Sequence, residues 1–155
     1  MKIFGIDPGS RESGCVIWGI DSRRVIQYEH TCNEKVLCVI RNLENDVIVA
    51  IEQIRGYGIV AGDDTFDTCH WSGRFQEAHE VKQLGGQVHL IPRKDIKRHL
   101  CGNTTTNDKY IRQALIDRYG EVGTKKNPGP LFGISGHLWA ALAVAVVCME
   151  TRVTL

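Results

Sequence analysis

A chain of 155 residues, 43% of them hydrophobic and 24% charged, has the length for one compact domain spanning 1–155 and lacks the bias of disordered or fibrous sequences. The formal net charge of +1 announces no nucleic-acid binder by itself, and the longest apolar run, residues 138–149, is too short to cross a bilayer. With no charged-then-apolar secretory order at the N-terminus and six scattered cysteines outside any CxxC or Cys/His cluster, the reading is a cytoplasmic protein with reduced, buried thiols.

Residues 2–7 alternate as a strand does, with Ile3, Gly5 and Asp7 on one side and Lys2, Phe4 and Ile6 on the other. A Pro-Gly turn leads to a second strand at 15–20, and a turn at Asp21 and Ser22 leads to a third at 24–30, an antiparallel meander. The spacing of Val36, Leu37, Val39, Ile40 and Leu43 predicts a helix capped by Thr31 or Asn33. VIVAIE is the continuous apolar run of a central strand buried on both faces, and it ends on Glu52. Glycine-rich IRGYGIVAGDD predicts a loop, followed by a helix at about 65–84 that carries Gly73 for close packing. A fifth strand at 87–91 is closed by Pro92; helical segments at 94–100 and 108–119 are split by the polar loop GNTTTN. EVGTKKNPGPLFG reads as a flexible surface excursion, and a last helix at about 134–151 presents Leu138, Ala141, Leu142, Ala145, Val146 and Met149 on one face, with Trp139 buried. Three antiparallel strands followed by strands alternating with helices predict an α/β layer fold with a mixed sheet.

Two strand ends carry the chemistry. Asp7 closes the first strand before a Pro-Gly-Ser turn, and Glu52 closes the central one. If those strands are parallel neighbours, the two carboxylates meet at one sheet edge, where hard cations find oxygen donors. Asp7 is also an ordinary turn former, but a charge ending an apolar central strand is costly unless it has a ligand or an opening to water. His137, in the first turn of the predicted last helix, is a third candidate; a lone histidine at a helix start is also a common neighbour of a cap. The stretch PRKDIKRHLCGNTTTNDK concentrates Arg93, Lys94, Lys97, Arg98 and Lys109, the composition of a phosphate-contacting surface or of a solvated helix face. Thr104 and Thr105 could add donors. In the loop after Glu52, Arg55 and Tyr57 could reach an opened nucleic acid, Tyr57 by stacking, or Tyr57 could be structural.

The segments FGIDPGSRESG, IEQIRGYG, TCHWSGRFQEA and GPLFGISGHLWAALAVAV, in that order and over nearly the whole chain, resemble the bacteriophage branch of the RuvC family of Holliday junction resolvases. GIDPGS alone also resembles the phosphate-binding opening of actin-like kinases, which need a far longer chain. The resemblance implies a ribonuclease H-like fold, with a five-stranded mixed sheet flanked by helices, and a homodimer. It implies two Mg²⁺ or Mn²⁺ ions per active site and paired symmetric nicks across four-way DNA junctions. By position, Asp7 and Glu52 match the family's first two catalytic, metal-binding acids, and His137 matches a place held by Asp or His. Three residues further on, the family carries a carboxylate where this chain has Ala140. Asp63, Asp64, Asp67 and Asp108 are the acids that could be recruited instead. Lys97 and Lys109 resemble the lysines with which the family grips the junction backbone, and Trp71 and Gly73 fall where core or dimer contacts are expected. The departure at Ala140 keeps open a junction-binding protein impaired in cleavage; a broader debranching nuclease for flaps and forks and a nucleotide-handling domain are further alternatives.

Overall fold

Alternation along the first strand decides which groups face which layer. β1 (Lys2–Asp7) pairs antiparallel with β2 (Glu12–Gly19), which pairs antiparallel with β3 (Arg24–Cys32). On its other side β1 pairs parallel with β4 (Val47–Gln53), and β4 pairs parallel with β5 (Val88–Pro92). The computed structural model describes residues 1–58, 60–82 and 88–153. In it the sheet has five strands in the order β3-β2-β1-β4-β5, the mixed sheet that the sequence predicts.

Helices cover both faces. Phe4, Ile6, Val49 and Ile51 pack with α1 (Asn33–Asn42) and α2 (Asp63–Lys82). Ile3, Val16, Trp18 and Ala50 point the other way, into a core shared with α5 (Leu138–Arg152) and, beyond it, α3 (Arg93–Cys101) and α4 (Asp108–Tyr119). The alternating side chains of one pleated strand thereby fill two cores. Helix α5 is buried from Ala141 through Met149, so its whole circumference is apolar contact rather than the single face expected. It lies directly on the sheet backbone. A Cβ built on Gly5 would stand 2.3 Å from the Ala141 carbonyl oxygen and 2.8 Å from Ala145 Cβ, and one on Gly14 would stand 3.1 Å from the His137 carbonyl oxygen.

Several expectations are corrected. α5 starts at Leu138, not near 134, because Gly133 and Gly136 take φ of +91° and +50°, outside the helical region, and the chain enters through a tight turn, Leu138 N–H to Ser135 O at 3.0 Å. Neither Thr31 nor Asn33 caps α1; Cys32 holds the cap position, and the Asn33 side chain turns into the interior. Helix α2 begins at Asp63, and positions 84 and 87, given to a helix and a strand from sequence, lie outside the described residues. The segment 121–133 is built rather than loose: Thr124 and Asn127 exchange backbone hydrogen bonds at 3.0 and 3.1 Å, Gly123 bridges to Pro128, and Leu131 is fully buried. Among the described residues Gly73 packs against nothing, since a Cβ there would meet no atom within 4 Å. All six cysteines are free, but only Cys15 and Cys148 are buried; Cys32, Cys38 and Cys69 are exposed. Trp139 is half-buried. Among the described residues no helix is long and apolar enough to cross a membrane.

Candidate functional site

The parallel register sets Gly5 beside Ala50 and Ile6 beside Ile51, so one further step brings Asp7 and Glu52 together at the C-terminal edge of β1 and β4. Both share the face on which α5 lies, because Gly5, Asp7, Ala50 and Glu52 are alternate residues. The turn after Asp7 is fixed by a buried polar network. Ser13 Oγ donates to Asn33 Oδ1 at 2.6 Å, Asn33 Nδ2 donates to the Gly9 carbonyl at 2.9 Å, and Gly9 N–H donates to Ser13 Oγ at 3.3 Å. Such satisfied networks hold one backbone conformation, here the one that presents Asp7.

Asp7, Glu52, Arg93, Asp108, His137 and Ala140 line a cavity of about 420 Å³. Asp7 and His137 also border an adjoining cleft of about 860 Å³ walled by residues 8–12, His30 and Trp71. Arg93 follows the end of β5 and reaches across to Glu52, Nη1 to Oε2 at 2.8 Å, while its Nη2 lies 2.8 Å from Asp108 Oδ2 at the start of α4. Lys97 Nζ stands 3.8 Å from Asp108. Among the described residues the Asp7 carboxyl has no hydrogen-bond or ion-pair partner. Burial pushes the Asp7 pKa up to about 6, against the pull of Arg93 and with help from the Asp108 charge. Burial likewise pushes Glu52 up to about 7, Arg93 opposing and Asp7 and Asp108 reinforcing. Raised carboxyl pKa values in a cleft mark a place where negative charge is under-compensated.

His137 is exposed and occupies the cap position of α5 with φ −65° and ψ −18°, its side chain making no cap hydrogen bond. Its ring instead stacks on His30 of β3, centroids 5.2 Å apart and planes 17° from parallel, and His30 Nδ1 lies 3.9 Å from Glu12 Oε2. Among the described residues no group of three or more His, Cys, Asp or Glu side chains is placed to hold a metal ion. The structure thus brings Asp7, Glu52 and His137 to one cavity wall without closing them into a ligand set.

The basic residues divide. Arg93 is turned inward onto acids, and Arg98 pairs with Asp95 on its own helix at 2.7 Å. Lys94 Nζ sits 3.7 Å from the centroid of the Tyr57 ring, which ties the loop after β4 to α3 and leaves Tyr57 44% exposed. Arg55 donates to Gln53 Oε1 at 3.0 Å. Lys109 lines the cavity and lies 4.9 Å from the Tyr110 ring. Thr105 donates through N–H and Oγ1 to Asn103, so the polar loop orders itself. Arg112, which sequence reasoning missed, lines the cavity and covers the Trp139 ring at 5.0 Å. The i, i+4 spacing from Asp108 on α4 is the signal that could have found it. Of the four acids proposed as replacements for the missing carboxylate, Asp108 lines the cavity, whereas Asp63, Asp64 and Asp67 are exposed on the first two turns of α2.

No protein-family model and no curated protein matches this chain. Solved structures do. It superposes on the Thermus thermophilus RuvC structure with a TM-score of 0.69 at 20% identity, covering 98% of this chain and 96% of that one. A second structure, T. thermophilus RuvC in complex with Holliday junction substrate, matches with a TM-score of 0.65 at 20% identity, covering 98% and 95%. The fold is therefore RuvC-like, a ribonuclease H-like sheet flanked by helices.

Proposed function

We propose that this chain is a metal-dependent endonuclease that binds four-way DNA junctions and related branched DNA as a homodimer in the cytoplasm and resolves them by paired nicks. The observation that carries the reading is the meeting of Asp7 and Glu52 on adjacent parallel strands, with His137 at the start of the helix laid across them. The donor set suits Mg²⁺ or Mn²⁺ in kind: carboxylate oxygens, one of them without a partner, at the mouth of a cleft open to a phosphate. A bound pair of such ions supplies an activated water and neutralises charge on the scissile phosphate. Asp7 and Glu52 would hold the ions, and His137, braced by His30, would orient groups at the same edge. Lys109 lines the cavity, and Arg55 and Tyr57 on the loop after β4 with Lys94, Lys97 and Arg98 on α3 would supply further backbone contacts, Tyr57 offering a ring to an unpaired base.

Paired nicks need two sites related by a two-fold axis. On α2, the exposed Phe66 at 56% and Val81 at 69%, with the open Gly73 between them, form the surface on which a second copy would pack. A second reading has an observation in its favour: Ala140 lines the cavity where the resemblance calls for an acid, which suits a protein that holds junctions and cuts them weakly. Gel-shift titration of a four-way junction beside a linear duplex, followed by addition of Mg²⁺ or Mn²⁺, tests both. Selective junction binding with metal-dependent nicking supports the nuclease, binding without nicking supports the holder, and no junction preference ends both.

A further inference from the structure

This step rests on the nuclease reading. The metal-binding role of Asp7 and Glu52 leaves a third donor unassigned, and Ala140 cannot supply it. We infer that Asp108 is the third oxygen donor of the metal site, and that Arg93 fills the site as a built-in counter-cation which a DNA phosphate draws away.

The placement comes first. Asp108 is the first residue of α4, one after the cap Asn107, whose side chain accepts from Lys109 N–H at 3.2 Å and fixes the helix start at the cavity wall. That wall is shared with Asp7, Glu52 and Ala140. Arg93 then explains why acids that share a cavity do not close into a ligand set. Its two terminal nitrogens each lie 2.8 Å from a carboxylate oxygen, one on β4 and one on α4, so a positive charge already stands between Glu52 and Asp108. A planar guanidinium separates the two acids it bridges by its own width, whereas a small divalent ion draws oxygens inward. The two cations exclude each other from the same gap.

Arg93 is also able to leave. Its side chain is 29% exposed and that of Asp108 is 66% exposed, so both reach solvent at the cleft from which DNA would approach. A phosphodiester offers the guanidinium an equivalent two-oxygen partner. Transfer of Arg93 from the acids to the phosphate frees Glu52 and Asp108 at the moment the substrate arrives. Metal and DNA then bind with positive coupling, and the coupling is reciprocal.

The test reads metal binding rather than cleavage. Free Mn²⁺ is followed by electron paramagnetic resonance during titration of the full chain without DNA, for wild type, Arg93→Gln, Asp108→Asn and the double variant, with thermal melts to confirm folding. The expected result is Mn²⁺ binding about tenfold tighter in Arg93→Gln and weaker in Asp108→Asn, with the gain lost in the double variant. A wild-type arm adds to this: a junction with non-cleavable linkages should tighten Mn²⁺ binding by wild type by a larger factor than by Arg93→Gln, in which only the direct attraction of the phosphate for the ion remains. Arg93→Gln binding Mn²⁺ no tighter than wild type, or a gain that survives loss of Asp108, overturns the inference. These DNA-free titrations stand whether or not the chain prefers junctions, so failure of the nuclease reading shows up separately, as wild type that neither selects nor nicks a four-way junction.

Discussion

Near each end of α5 a carboxylate is held by an arginine, and their surroundings displace the two pKa values in opposite directions. At the C-terminal end, Glu150 receives His99 at 2.6 Å, Arg118 at 2.7 Å and the Tyr119 hydroxyl. Burial alone would raise its pKa, but the hydrogen bonds from Tyr119 and His99 and the Arg118 charge outweigh burial and hold it below the usual range. At the N-terminal end, Glu52 has one arginine, shared with Asp108, and faces Asp7; there burial prevails and the carboxyl stays near 7. A carboxylate with donors on every side is a clamp, and Glu150 ties α5 to α3 and α4. An under-compensated group of acids at a cleft mouth is destabilising in the free protein and useful only when a cation arrives.

Substitutions at the two ends should therefore separate function from stability. Asp7→Asn should lower junction cleavage by about 10³-fold with junction affinity unchanged to within about twofold, and should raise the melting temperature of the metal-free protein by a few degrees. Equal loss of binding and cleavage, or a lower melting temperature, would place Asp7 among the structural groups. Gly5→Ala strikes between the ends, forcing α5 off the sheet. Chemical denaturation should show a loss on the order of 3 kcal/mol, because a Cβ at 2.3 Å from the Ala141 carbonyl must displace helix backbone. Glu150→Gln should cost about 1–2 kcal/mol of unfolding free energy and leave cleavage intact, the mirror image of Asp7→Asn.

The pH dependence sharpens the same contrast. Asp7 and Glu52 keep their protons in the folded protein at pH values where the unfolded chain has lost them. Their contribution to stability is full below the ordinary carboxylate range and is lost as pH rises through about 6 and about 7. Glu150, with its pKa depressed, contributes stability above that range and loses it in acid. Denaturation curves of metal-free protein should show stability falling between mildly acidic and slightly alkaline solution, and falling less in Asp7→Asn. Cleavage should rise over the same interval, since a cation needs both carboxylates ionised. The smallest expected effect is that of Lys109→Ala, which should weaken junction and duplex binding alike and reduce the salt slope by about one.

How much of this was legible in the sequence follows from the range of each contact. Asp7 and Glu52 stood out because each closes an apolar run, and local alternation gave the side that Asp7 shares with Ile3 and Gly5; that Glu52 shares the same face follows only from the β1–β4 register. The start of α5 was misplaced because apolar Ile134 looks helical until the positive φ of Gly133 and Gly136 is known. Asn33 looked like a cap because Asn at a helix start is one elsewhere; its actual partners, Ser13 and Gly9, lie 20 and 24 residues away. Arg93 read as part of a basic surface, and only the pairing of β4 with β5, together with the return of α4 to the same edge, shows that it faces acids. Asp108 could be named as one of four acids but not chosen among them, and the His30–His137 stack joins elements with no sequence signal for their contact.

The most direct test of the central claim is cleavage of a labelled four-way junction, beside linear duplex, in Mg²⁺ or Mn²⁺ by this chain, by Ala140→Asp, and by Ala140→Asp combined with Asp7→Asn. The account predicts junction-selective, metal-dependent nicking that increases sharply with Ala140→Asp and disappears in the double variant while binding persists. Absence of metal-dependent nicking in all three, or nicking that survives Asp7→Asn, would contradict it.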